Sequence, residues 1–591
     1  MSLDPHSGPL GRRGAAHLLR RATFGPTIAQ IKAFSGLTAA QAIQQLYHQT
    51  IPDAPPPIAP GESGSWVITG ITDSQKMEFE YQEYFKGWFV GQMMSSGVPA
   101  GQSLAYSARE KLVFFIHTVL TAITEKVGSS RALYFQNQLF RLYALDNVTS
   151  PVVPADKLNF RELVKKVCVD NAMLNLLDGT INIRGGNENF GRELLELYTI
   201  GRGLENDPEI VLEDLPEYDY YYYNEHDVRT AAKVFSGFEF DNSFGTDDPV
   251  NTIDPDTLLP RGKVRGAVNN ASAHDNSIKK FSEHFDEEEV TPDPLLMNGT
   301  QATQESALDE ISQLIDLIYD QDETAMHICR KIYRFFMYHE ITKPISEDII
   351  KDMANTFRTN NFKIQPVIER LLGSVQFYHG NPDPTTFSDD AFGGIIKSPL
   401  DIILGTYRFF EVQIPSMTTD AENFYGLTGN IIGTMKTMGL DFYQPYDVAG
   451  YDAYHQFPIY HRSWITVNNL TNRYKFIYEL LPGIELFPLV WDNIDLAQAS
   501  NARSLVIELA SFVLPVTESL TFDTTQDEAQ KATLRSERLL HFLDKFMGRL
   551  TTDDEDVWAT NYPTQTMTGT MEGQLRDLFN TMLQSPEYQL Q

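Results

Sequence analysis

Cysteine is nearly absent: 591 residues contain two, Cys168 and Cys329. Neither belongs to a C-x-x-C pair, and two thiols cannot build a disulfide framework. Both lie in apolar, helix-patterned stretches, KKVCVD and HICRKIY, which predicts buried small hydrophobes rather than reactive groups. No apolar run reaches transmembrane length. The opening MSLDPHSGPLGRRG lacks an apolar h-region and a small-residue cleavage site, and Arg12-Arg13 is not followed by an apolar run. Neither a signal peptide nor a twin-arginine signal is expected. The expected location is cytoplasmic, or periplasmic or secreted if the chain is a processed form. Basic residues are scarce too: 47 Lys and Arg face 79 Asp and Glu, a net charge of −32. A surface this acidic repels phosphate backbones and anionic lipid faces, which excludes nucleic acid as a partner.

The common catalytic signatures are also missing. There is no phosphate loop, no dinucleotide fingerprint, no G-x-S-x-G elbow and no H-E-x-x-H, since His339-Glu340 has no histidine four positions on. The acidic stretch Asp241–Asp256 lacks the ligand spacing of a calcium loop.

What is present is helical periodicity. Leu112, Phe115, Ile116, Val119, Leu120 and Ile123 recur at spacings of three and four. Similar stripes run through Gly14–Thr23, Asn187–Ile200, Val228–Phe235, Ala307–Tyr319, Ala325–Met337, Pro399–Phe410 and Ala502–Leu514. The pattern predicts an all-α, multi-helix bundle-type protein with long loops and at most minor β, Trp66–Ile71 being one stretch compatible with a strand. No repeat of solenoid length appears. Residues 51–64, 242–300 and 379–394 read as loops from their Pro, Gly, Asn and Asp content. The middle one is an excursion from what is expected to be a single domain over 1–591.

Several clusters carry candidate chemistry. On a regular helix, Glu188, Arg192 and Glu196 share one face, with Glu193 on the neighbouring strip. Such residues make surface ion pairs, or else Glu193 and Glu196 form a carboxylate pair serving as acid–base groups or ligands of a divalent metal. His274-Asp275, with Lys279, sits in the 242–300 loop. It is a candidate for catalytic or metal-binding work or a hydrogen-bonded loop anchor. In the second His-Asp pair, His226-Asp227, Asp227 is expected to cap the helix starting at Val228. Arg20 and Arg21, near the end of the first helix, and Arg192 are expected to meet carboxylates of this chain or bind an anion. His117, on a strongly apolar helix, is expected to be a satisfied core histidine. Tyr451, Trp464 and Arg473 lie in an aromatic region that either packs in the core or forms a carbohydrate-binding shelf. Tyr218 and Tyr220–Tyr223 read as an exposed acidic loop.

Three long runs, AAHLLRRATFG (Ala15–Gly25), NENFGRELLELYTIG (Asn187–Gly201) and YNEHDVRTAAKVFSGF (Tyr223–Phe238), occur in that order. Together with DNAMLNLLDG, AHDNSIKKF, ICRKIYRFF, IKSPLDIILGTYR and the final SPEYQL, they resemble the bacterial family catalogued as domain of unknown function 1800 (DUF1800). Two departures stand out. The family's F-W-H-x-H-F reads Phe115-Ile116-His117-Thr118-Val119-Leu120, and its V-A-G-W reads Val448-Ala449-Gly450-Tyr451. The resemblance implies a helical protein without an established activity. Its genes commonly lie beside those of another uncharacterised family, which looks like an exported phosphatase or sulfatase relative. The reading that follows is a binding or accessory protein acting with such a protein partner. The alternatives are a metal-dependent hydrolase using Glu193, Glu196, His274 and Asp275, and a carbohydrate-binding protein.

Overall fold

The computed structural model describes residues 3–71, 73–203, 219–379, 394–515, 520–526, 534–548 and 552–591. The loop expected at 379–394 and Tyr218 therefore fall almost wholly outside the described residues. Helix makes up 58% of the structure, and β structure is confined to two-stranded ribbons, as the periodicity predicts. The apolar stripes become Gly11–Ala22, Ser103–Val119, Glu225–Val234, Gln304–Asp320, Asp322–Phe336, Pro399–Phe409 and Ala502–Val513, among others. Their apolar faces join one contiguous core running from Leu3 to Tyr588. Cys168 and Cys329 are buried in it, where desolvation pushes both thiols up.

Two local expectations are corrected. Trp66–Thr69 is a single helical turn, not a strand; Trp66 is fully buried and donates its indole N–H to Ser130 Oγ at 3.1 Å. The 242–300 segment is ordered rather than a bare loop. Strand β1 (Phe238–Glu239) pairs antiparallel with β2 (Lys263–Val264), and β3 (Lys279–Lys280) with β4 (Glu289–Val290).

The first helix ends where its chain crosses a later one. Gly25, at φ +105°, lies so close to Gly405 that a Cβ on it would come within 2.7 Å of the Gly405 Cα. Arg408 locks the crossing by donating to the Gly25 carbonyl at 2.7 Å. This joint fixes Arg20 and Arg21 against the helix that carries Asp401.

Candidate functional site

The motif run at Asn187–Gly201 does not fold as one regular helix. An α-helical segment, Asn189–Glu193, continues into a π-helical turn, Leu194–Tyr198. The Thr199 hydroxyl closes the turn on the Leu194 carbonyl at 2.6 Å, and the Gly201 N–H reaches the Leu195 carbonyl at 2.8 Å. A π turn adds about one residue per turn and is frequent at functional sites. Of the expected Glu188–Arg192–Glu196 set, the Glu188–Arg192 pair forms and Glu196 leaves it. Arg192 pairs with Glu225 at 2.5 Å and Glu188 at 3.4 Å. Glu196 turns to Arg202 at 2.7 Å.

Glu193 is left half-buried with no hydrogen bond or ion pair among the described residues. Burial, then the neighbouring Glu196 carboxylate, push it up to about 7. Arg192 and Arg202 oppose that rise, and Asp447 adds to it. Burial likewise raises Glu196, against the pull of Arg202. His327 of the Asp322–Phe336 helix seals the end of the turn. Its ring hydrogen-bonds the Leu197 backbone, while Nε2 is buried without a hydrogen-bond partner among the described residues.

His274 and Asp275 are not part of this cluster. His274 Nδ1 meets the Ser236 carbonyl at 2.8 Å and Nε2 meets Glu310 Oε2 at 3.2 Å. Lys279 ion-pairs with the same carboxylate oxygen, and all three side chains are fully buried. Asp275 accepts from the Ser277 N–H at 2.9 Å and from its hydroxyl, a local turn. So both His274 nitrogens are engaged in anchoring the β3 region. Among the described residues, no group of three or more His, Cys, Asp or Glu side chains is arranged to hold a metal ion. The four residues offered as a metal-dependent hydrolase do not share one coordination sphere. Asp227 differs from expectation as well. Asn224 is the N-cap, and Asp227 is its capping-box partner, returning to the Asn224 N–H at 3.0 Å and accepting from Ser282.

Arg192 meets carboxylates as expected, but the other candidate binding arginines meet carbonyls. Arg20 donates to Phe512 O at 2.5 Å. Arg21 donates to Phe336 O, Met337 O and the backbone oxygen of Gln591. Arg473, fully buried, donates to Lys397 O at 2.8 Å. Burial lowers all three, to about 10, 9 and 10 respectively. Each arginine terminates a chain segment far away in sequence, so these side chains are internal pins.

Around them lies a centre that the sequence does not announce. Lys397 and Lys111 join the arginines around a single carboxylate, Asp401, which Lys111 ion-pairs. The Lys397 amine stands 3.5 Å from the centre of the Tyr588 ring, and burial together with Arg20 holds it well below its usual range. Two small cavities adjoin Asp401. One, of about 30 Å³, is lined by Arg20, Lys397 and Tyr588. The other, of about 20 Å³, is lined by Arg21, Lys111, His339, His461 and Trp464. Each has room for a water or two. A strongly acidic protein thus has a cationic centre at this joint, and no sequence spacing signals it because its members come from five separate segments.

The aromatic region is core. Tyr451, Trp464 and Arg473 are buried, so these three side chains form no carbohydrate shelf. The two departures from the motif pattern touch each other. The Tyr451 hydroxyl accepts from the Tyr443 N–H at 2.8 Å and meets His117 Nε2 at 3.1 Å. His117 also stacks on Tyr443 at 3.9 Å. Burial lowers His117 to about 3, so it is a neutral core histidine, as expected, but only half satisfied: Nδ1 is buried without a hydrogen-bond partner among the described residues. Among the described tyrosines of the run, Tyr221 alone is exposed and Tyr223 is fully buried.

A family model described as a protein of unknown function (DUF1800) matches residues 17–590. The chain belongs to the DUF1800 family. No curated protein and no solved structure matches it. In this DUF1800 chain, Arg20, Arg21, Gly25, Lys397, Asp401, Arg408 and Tyr588, all from runs that carried the resemblance, meet at the buried joint just described. Among the described residues, no helix is long and apolar enough to cross a membrane.

Proposed function

We propose that this DUF1800 protein is a helical binding or accessory protein that works with another protein, an exported phosphatase- or sulfatase-like one. One observation carries the reading: several of the signature side chains are engaged inside the fold. Arg20, Arg21, Arg408 and Arg473 hold backbone carbonyls, and His274 holds Ser236 and Glu310. Signature residues used this way specify a shape, and a fixed shape serves recognition. The exposed charge suits a basic partner surface: Glu283 and Asp286–Glu289 project from the β3–β4 turn, and opposite charge steers such encounters. The pairing requires both proteins to reach the same compartment. Recovery of the chain with its partner at native abundance is the test.

A second reading has its own observation. Glu193 is a half-buried, unpartnered carboxyl on a π turn, beside a second carboxyl held by Arg202. Two neighbouring carboxyls, one paired with an arginine and one unpaired, are the arrangement that general acid–base chemistry uses. A titration near neutral pH that disappears in Glu193→Gln supports it.

A further inference from the structure

An open cleft of about 480 Å³ lies between the start of the Ser130–Ala144 helix and the loop that follows β1. Its volume falls in the range of small-molecule sites, unlike the two water-sized cavities at Asp401. Two phenyl rings, Phe240 and Phe244, form part of the wall, and Asn175, Thr180, Asn242 and Glu239 supply polar groups.

The wall is built rather than incidental. Asp241, buried behind it, accepts from the Ser243 N–H at 3.2 Å, the Ser243 hydroxyl at 2.8 Å and the Gly245 N–H at 2.8 Å. That turn drives Phe244 into the left-handed region at φ +50°, a conformation that costs a phenylalanine free energy and marks sites where surroundings over-determine the backbone. The ring is then clamped. Arg131 lies over it at 4.2 Å, and Phe135 and Phe240 pack against it at 5.7 and 5.6 Å. Phe240 meets Phe244 edge-on at 88° and remains partly exposed.

The polar groups are still available. Among the described residues, the Asn242 carboxamide and the Thr180 hydroxyl make no hydrogen bond. Asn175 uses one N–H on the Val127 carbonyl at 3.0 Å, which leaves its oxygen unengaged. The one charged lining group, Glu239, is answered by Arg265 at 3.5 Å. A positioned aromatic face ringed by amides, a hydroxyl and a paired carboxylate offers stacking to C–H-rich faces and hydrogen bonds to hydroxyls. It offers nothing to an anion, which the −32 chain also repels.

We infer that this cleft binds a neutral, hydroxyl-rich ligand, an oligosaccharide, with Phe240 as the stacking ring and Asn242, Thr180 and Asn175 as the hydroxyl readers. The inference does not rest on the partner reading. It moves carbohydrate binding from Tyr451, Trp464 and Arg473, which are buried, to a surface no sequence pattern marks.

The test is ligand-observed NMR and calorimetry on the full chain with neutral di- to tetrasaccharides of hexoses, pentoses and N-acetylhexosamines, with neutral peptides alongside. At least one saccharide is expected to bind saturably, and Phe240→Ala to weaken it at least tenfold. Asn242→Trp, at an exposed position, fills the cleft; it is expected to abolish binding with an unchanged melting temperature and unchanged partner recovery. Absence of binding across the saccharide set, binding that survives Asn242→Trp, or a preference for peptides would each overturn the inference.

Discussion

Lys279, Glu310 and His274 show what a buried charge requires. Lys279 and Glu310 have fully buried side chains and face each other, with His274 on the same carboxylate oxygen. Lys279→Met leaves Glu310 charged and uncompensated in the core, which is expected to cost about 3–5 kcal/mol of stability. Lys279→Met combined with Glu310→Met restores most of it, because an apolar pair of similar volume carries no desolvation penalty. Denaturant unfolding of the single and double variants checks this. Glu193 makes the complementary case. Its carboxyl sits at about 7 in the fold, above the ordinary value near 4.3. A raised acid favours the protonated fold, so its contribution is full below the unfolded value and is lost as pH rises through about 7. Stability is expected to fall between about pH 4 and 7 by about 1–2 kcal/mol from this residue, allowing for its partial exposure. Glu193→Gln should flatten that slope, as melting temperatures across the range will show. Identical slopes in both proteins would remove the acid–base reading. The residue types at both places were legible in the sequence, but their partners were not. His274 was paired on paper with Glu193, yet the fold hands it Glu310, from a helix whose sequence stripe marks only its apolar face.

At the scale of elements, periodicity located the helices well because apolar spacing is what burial requires, and caps such as Asn224 with Asp227 set their starts. It failed where backbone hydrogen bonding departs from the α pattern. Nothing in NENFGRELLELYTIG distinguishes an α from a π turn by apolar spacing alone, and nothing in it announces Arg202 as the partner of Glu196. The 242–300 excursion was read as loop because its strands are two residues long, too short for alternation to appear. Gly201 shows how tightly the π turn is finished. It has φ +79°, and a Cβ on it would lie 2.6 Å from His327 Nδ1. Gly201→Ala is expected to cost about 2 kcal/mol or more, from backbone strain plus displacement of the ring that holds the Leu197 carbonyl. Chemical denaturation measures the loss, and hydrogen exchange should show it concentrated at Leu194–Tyr198. A neutral substitution would mean the turn is not closed in this way.

At the scale of the whole molecule, one buried joint gathers cations in a chain of net charge −32. Asp401 is surrounded by Arg20, Arg21, Lys111, Lys397 and Arg473, while acidic residues predominate outside. In the sequence the acidity was already concentrated: residues 203–228 hold nine acidic and no basic residues, and 281–329 hold thirteen and none. The cationic centre was invisible there, because it is assembled from segments hundreds of residues apart. That division of labour, signature residues inside and acidity outside, is the basis for reading the protein as a recognition scaffold. The most direct measurement is affinity recovery of the chain from its native host at native abundance, with mass spectrometry of what accompanies it. The account predicts a stoichiometric protein of the exported phosphatase- or sulfatase-like class, released progressively as salt screens the acidic surface. Recovery of the chain alone under the same low-salt conditions would contradict it.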